Sequence, residues 1–154
     1  MINIKNILFP TDFSNCAEHA LKYALSFTEL CNAKLYVLHV IADLSIPVGL
    51  GGSVYPLSKI YDEMEQNAKE KMKHVVPMHY IDKIETETII VRGTPFLEII
   101  NAAKKYTIDL ITIATHGYTG LSHVFLGSTA EKVVRMAPCP VLTIKHPEHE
   151  FVKP

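Results

Sequence analysis

Stretches rich in Ile, Val and Leu recur along the chain at residues 4–9, 35–41, 88–91, 110–114 and 141–144. Apolar runs without polar alternation suit strands covered on both faces, as in a parallel sheet. Between them the period lengthens to that of a helix. Ala17, Ala20, Leu21, Ala24, Leu25 and Thr28 follow i, i+3, i+4 spacing behind Ser14, a residue suited to cap a helix start. Ile60, Met64, Ala68, Met72 and Val75 form a second stripe, which Pro77 ends because proline lacks the donor and clashes with the preceding turn. Phe96, Ile99, Ile100 and Ala103 form a third, entered through Thr94 and Pro95. Ala130, Val133, Val134 and Ala137 form a fourth, opened by Gly127 and Ser128 and closed by Pro138.

Strand and helix therefore alternate from end to end, which predicts an α/β fold with an open five-stranded parallel sheet, right-handed crossovers and helices on both faces. The strand order expected is 3-2-1-4-5. A length of 154 residues suits one domain, here residues 1–146, followed by a short polar tail at 147–154. No repeat of solenoid length is visible. The connection at 43–57, with its glycines, prolines and serines, has the composition of a functional lid or mobile loop.

Composition narrows the functional classes. With 48% apolar and 20% charged residues the chain has material for a core, and a formal charge of -1 supplies no field for nucleic acid or an anionic membrane. The stretches 34–42 and 108–114 fall well short of the roughly 20 residues a membrane span requires. Lys5 interrupts the first apolar run, so that run reads as a strand rather than a signal peptide, and a cytoplasmic protein is expected. Cys16 and Cys31, if on one helix, stand about 22 Å apart along its axis, beyond disulfide reach, and are expected to be buried thiols.

In an open parallel sheet, ligands bind beyond the carboxyl ends of the strands, where the strand order reverses. That rule selects Pro10, Thr11, Asp12, Phe13 and Ser14 after the first strand, Val40 and the long loop at the end of the second, and Thr115 to Gly120 after the fourth. Asp12 and Gly117 then face one crevice. Gly127, Ser128 and Thr129 open a helix whose unpaired amides and dipole can receive a phosphate. The alternative is that Ser128 only caps its own helix. Asp12 likewise is either a ligand group or a cap, and Val40 either a pocket wall or ordinary core.

Together, Pro10-Thr11-Asp12-Phe13-Ser14, the segment Ala114-Thr115-His116-Gly117, the pair Gly127-Ser128 nine residues on, and the ending Ala137-Pro138-Cys139-Pro140-Val141-Leu142 resemble the universal stress protein family. The resemblance implies an adenine nucleotide alpha hydrolase-like sheet that binds ATP. It implies that Asp12 lies on the nucleotide side, Val40 against adenine, and Gly117, Gly127, Ser128 and Thr129 around the phosphates. The ATP-binding pattern is Gly, two residues, Gly, nine residues, Gly, then Ser or Thr; its first glycine is Ala114 here. A methyl there costs little if φ is negative, and roughly 1–2 kcal/mol if the backbone is left-handed. Residues 115–126 contain no Lys or Arg, so phosphate charge is expected to be met by backbone amides, the helix terminus and a divalent ion, Mg²⁺ or Mn²⁺; on the side the resemblance gives it, Asp12 either accepts from ribose hydroxyls or holds that ion.

Weaker signals are consistent with this reading. No P-loop sequence occurs, and Gly49-Leu50-Gly51-Gly52-Ser53 reads as loop. His74, His79, His146 and His149 lack the cysteine partners of a zinc site. His39, between apolar neighbours, reads as a satisfied structural histidine, whereas His116 stands at the crevice, within reach of phosphate. Ser128 has no Gly-x-Ser-x-Gly frame, so no nucleophile system is read from the sequence, and weak ATP hydrolysis is the most that the resemblance implies. Three functions from different classes remain: an ATP-dependent regulatory module acting on a protein partner, a slow metal-dependent ATPase, and a dimeric interaction protein that binds no nucleotide. The resemblance also implies a homodimer through strand 141–144, with Pro140 and Lys145 as features that instead blunt a free edge.

Overall fold

The computed structural model describes residues 2–44, 56–116 and 126–145. Gly117 and Gly120, residues 45–55 of the long connection, and the 147–154 tail therefore lie outside the described residues. The elements run β1 (Asn6–Pro10), α1 (Asn15–Cys31), β2 (Lys34–Ala42), α2 (Leu57–Val75), α3 (Met78–Ile81), β3 (Glu85–Gly93), α4 (Pro95–Lys105), β4 (Leu110–Ala114), α5 (Ser128–Met136) and β5 (Val141–Ile144). All strand pairs are parallel, in the order β3-β2-β1-β4-β5. This is the expected architecture.

Burial on both faces explains the continuous apolar runs. Ile7, Phe9, Leu35, Val37, Leu110 and Ala114 turn to one face, where they pack with Ala17, Ala20, Leu21 and Ala24 of α1 and Met72 of α2. The alternate residues Leu8, Tyr36, Leu38, Ile111 and Ile113 turn to the other, against Ile99, Ala102 and Ala103 of α4 and Ala130 and Val133 of α5. The twofold alternation along each strand thus serves two separate cores.

Several boundaries differ from the sequence expectation. β1 begins at Asn6 rather than Ile4 and extends to Pro10, whose missing N–H is no loss at a strand end. β3 is longer than its apolar run, because Glu85, Glu87 and Arg92 are tolerated on an edge strand. Lys34 of β2 reaches across to Glu85 and Glu87 at 3.1 and 2.8 Å, and these partners raise its already high pKa. A short helix, α3, follows Pro77, where none was expected. On α2 the buried stripe runs through Tyr61, Ala68 and Met72 rather than Ile60. The cysteines are half-buried rather than buried. Among the described residues no helix is long and apolar enough to cross a membrane.

Candidate functional site

The crevice arises where two central strands part. β1 pairs with β2 over five residues, from Asn6↔Lys34 to Pro10↔Leu38, but with β4 only at Ile7↔Leu110 and Leu8↔Ile111. Beyond those pairs β1 leads into α1 on one face, while the chain after β4 returns as α5 on the other. The gap is a cavity of about 370 Å³, lined by residues 10–12, 113–116 and 127–130, with Leu38, Val40 and Ala42 of β2 and Pro95 and Ile99 of α4. Pro10, Thr11, Asp12, Val40, Ala114, His116, Gly127, Ser128 and Thr129 are therefore brought together; Gly117 lies outside the described residues.

The loop after β1 is held by its own side chains. The Thr11 amide donates to Leu38 O at 2.8 Å, Phe13 N donates to Thr11 Oγ1 at 3.0 Å, and Ser14 N donates to Asp12 Oδ1 at 2.9 Å. Ser14 is the N-cap of α1 and accepts from Ala17 N at 3.2 Å. Asp12 is thus not the cap. It forms a turn with Ser14 and remains exposed at the crevice with its second carboxylate oxygen uncommitted among the described residues. Phe13 has a φ of 64°, a left-handed conformation that costs a non-glycine residue about 1–2 kcal/mol.

Val40 follows from the pleat. In a parallel strand alternate residues direct both backbone groups to the same neighbour. Lys34 N donates to Lys5 O and Leu38 O accepts from Thr11 N, so the even-numbered residues of β2 face β1. At Val40 that neighbour has ended, and its N–H meets no protein acceptor among the described residues. The side chain packs into the core beside Leu38, while the backbone offers a donor and an acceptor to the cavity. Both alternative roles of Val40 are thus present, in different atoms.

On the opposite wall, Thr115 N donates to Ile144 O, and Gly127 N donates to Thr115 O at 2.7 Å. A side chain at position 127 would bring its Cβ to 3.2 Å from that same oxygen, which is why a glycine suits the contact. Gly127, not Ser128, is the N-cap of α5; it makes no side-chain cap, and Ser128 is the first helical residue. The first intrahelical acceptance is from Glu131 N to Gly127 O at 2.9 Å. The amides of Ser128, Thr129 and Ala130 therefore precede the helical ladder and have no acceptor within it, and all three residues line the cavity. With the positive end of the helix dipole they form an anion-receptive wall.

Ala114 lies within β4 and is absent from the left-handed residues of the described chain, which are Phe13, Asn32 and Thr107. The methyl therefore imposes no backbone strain. His116 Nδ1 and Thr115 Oγ1 lie 2.9 Å apart at the cavity edge. Among the described residues no Lys or Arg lines the cavity, and no group of three His, Cys, Asp or Glu is arranged to hold a metal ion. Asp12 could thus contribute one oxygen to a metal brought in by phosphates, but no protein cage exists among these residues. Pro95, Ile99 and Ala130 were not singled out from sequence. The start of α4 at Thr94-Pro95, at the same sheet edge, was the available signal for the first two.

Behind the loop, His39 Nδ1 lies 2.8 Å from Thr11 O, and its ring packs on Phe13 with centroids 4.3 Å apart. A carbonyl only accepts, so Nδ1 carries the hydrogen. Burial pushes the His39 pKa below its ordinary 6.5 and the nearby Lys71 ammonium adds to this, against opposing effects of the Thr11 carbonyl and the Asp12 carboxylate. The satisfied structural histidine expected from its apolar neighbours is what is found.

Fold and crevice together define a parallel α/β protein with a cavity at the reversal of its strand order, where open sheets of this kind bind ligands. The sequence profile of the universal stress protein family matches residues 3–145, and the chain belongs to that family. It is 38% identical over 148 residues to universal stress protein MJ0531 of Methanocaldococcus jannaschii, covering 95% of this chain and 85% of that protein. It is similar to the structure of MJ0577 from the same organism, with a TM-score of 0.82, 34% identity and coverage of 94% of this chain and 98% of that one. It is also similar to a universal stress protein from Archaeoglobus fulgidus in complex with dAMP, with a TM-score of 0.64, 26% identity and coverage of 94% and 100%.

Proposed function

We propose that this protein is an adenine-nucleotide-binding regulatory module, with ATP as its nucleotide. The observation that carries the proposal is the pairing of two backbone features across one cavity. The free Val40 N–H and C=O match the acceptor and donor on the pairing edge of adenine, while the three leading amides of α5 match a phosphate. The cavity is of the size of small-molecule sites. A relative of this family holds dAMP, which has the same base and one phosphate. Asp12 serves the ribose or a divalent ion, Mg²⁺ or Mn²⁺, that enters with the phosphates, since no lysine or arginine on the cavity wall is available among the described residues. His116 stands at the cavity edge, on the side of the phosphates.

Nucleotide occupancy alters the crevice rim and hence affinity for a protein partner, which requires that the two forms differ in free energy of binding. β5, at the sheet edge with Val134 and Met136 exposed on the preceding α5, supports a homodimer joined along that strand. The test is mass spectrometry of small molecules released by denaturing freshly purified protein, followed by calorimetric titration of the emptied protein with MgATP. An adenine nucleotide at near-stoichiometric yield and a saturable titration are expected. No released nucleotide and no heat at millimolar MgATP would overturn the proposal.

A further inference from the structure

The bond from His39 to Thr11 stands where a backbone bond belongs. With Thr11 N on Leu38 O, the register of a parallel ladder directs the next bond from Val40 N to Thr11 O. That bond is not made; Thr11 O instead accepts from the His39 imidazole at 2.8 Å. His39 projects from the face of β2 that carries Val37 and Ile41, opposite the face to which Leu38 and Val40 turn. The ring therefore draws the Thr11 carbonyl towards the α1 and α2 side, away from the crevice. Phe13, packed on the ring and left-handed, continues the same departure from the sheet. The ammonium of Lys71 on α2, 5.3 Å from the Phe13 ring centroid, closes the stack from outside.

We infer that His39 is a positioning residue of the nucleotide site: by occupying the Thr11 carbonyl it ends the β1–β2 ladder one bond early, keeps the Val40 amide available to a base, and holds Asp12 at the rim. The inference rests on the adenine-nucleotide reading for its ligand, but its central step is a property of the free protein. An imidazole is suited to the task because Nδ1 branches directly from Cγ and reaches a carbonyl on the neighbouring strand. Asparagine places its Nδ2 at the same branch point, whereas leucine fills similar space without a donor.

The test compares wild type, His39→Asn and His39→Leu by amide hydrogen exchange and by titration with dAMP and MgATP. In the nucleotide-free protein the Val40 amide is expected to exchange fast, as an unbonded group does, in wild type and His39→Asn. In His39→Leu it is expected to slow by about tenfold, the worth of one backbone hydrogen bond, as Thr11 O returns to the ladder. Nucleotide affinity should fall in His39→Leu by about the same factor and be restored in His39→Asn. A protected Val40 amide in wild type, or identical Val40 exchange in all three proteins, would overturn the inference whatever the titrations show. If exchange follows expectation but no variant binds nucleotide, the adenine-nucleotide reading fails instead. Exchange at Leu8 and Ile111, deep in the central strands, reports whether each variant has kept its fold.

Discussion

The amide of Gly127 donates to the carbonyl of Thr115 at 2.7 Å, tying the start of α5 to the end of β4. This bond aims the free amides of Ser128, Thr129 and Ala130 at the crevice. Substituting Gly127 sets two effects against each other, since the backbone there has φ −64° and ψ 154° and accepts any residue. A less flexible unfolded chain stabilises by about 0.4–1 kcal/mol, while a Cβ at 3.2 Å from Thr115 O overpacks at a cost of about 1–3 kcal/mol. Gly127→Ala is thus expected to destabilise by about 1 kcal/mol in urea denaturation, and Gly127→Val by more. A stabilised Gly127→Ala would show that Thr115 yields without cost.

Restoring the family glycine at Ala114 should bring no gain. Ala114 has ordinary strand geometry and its methyl is packed in the core with residues of α1. Ala114→Gly is expected to lower stability by about 1 kcal/mol through lost burial and added unfolded-state freedom, and to leave MgATP affinity within about twofold. A tenfold rise in affinity would mean that the methyl obstructs the nucleotide.

Asp12 has two separable roles. Its Oδ1 accepts from Ser14 N, a task that asparagine also performs; its charge acts on His39 and, in the proposed complex, on a ligand or metal. Asp12→Asn should therefore keep the urea midpoint of wild type while weakening MgATP more than metal-free AMP. Asp12→Ala should lose both stability and binding. Equal loss of both ligands in Asp12→Asn would remove the metal from the account.

The fold was legible in the sequence because buried parallel strands are written as unbroken apolar runs; β4 and β5 match their runs residue for residue. β3 was under-read, since the apolar run stops at Val91 while backbone pairing with β2 carries on to Gly93. At the site, the strand-end rule pointed to Asp12 and Val40, the helix-start argument to Gly127 and the family resemblance to Ala114, and all four line one cavity. The cap assignments at Asp12 and Ser128 needed coordinates, because Ser14 and Gly127 are equally suited by composition. The His39 bond was beyond reach for another reason. It depends on the register Pro10↔Leu38, a long-range fact that no local pattern records.

His39 also gives stability a pH dependence with a defined sign. Burial holds its folded pKa below 6.5, so below that pH the unfolded chain binds more protons than the folded one. Its contribution is complete above about pH 6.5 and is lost as pH falls from there through the folded value. Thr11, Asp12 and Lys71 are the groups that bear on it. Urea unfolding at pH 5 and pH 8 should show a larger loss at pH 5 for wild type than for His39→Asn, which does not titrate. Equal losses would mean that the ring is protonated in place without penalty.

The most direct test of the account is an amide-resolved NMR titration of the nucleotide-free protein with MgATP. Saturable shifts are predicted to be largest at Val40, Gly127, Ser128, Thr129 and Ala130, on both walls of one crevice, with α3 at Met78–Ile81 unmoved. Shifts confined to another surface, or none at millimolar MgATP, would contradict it.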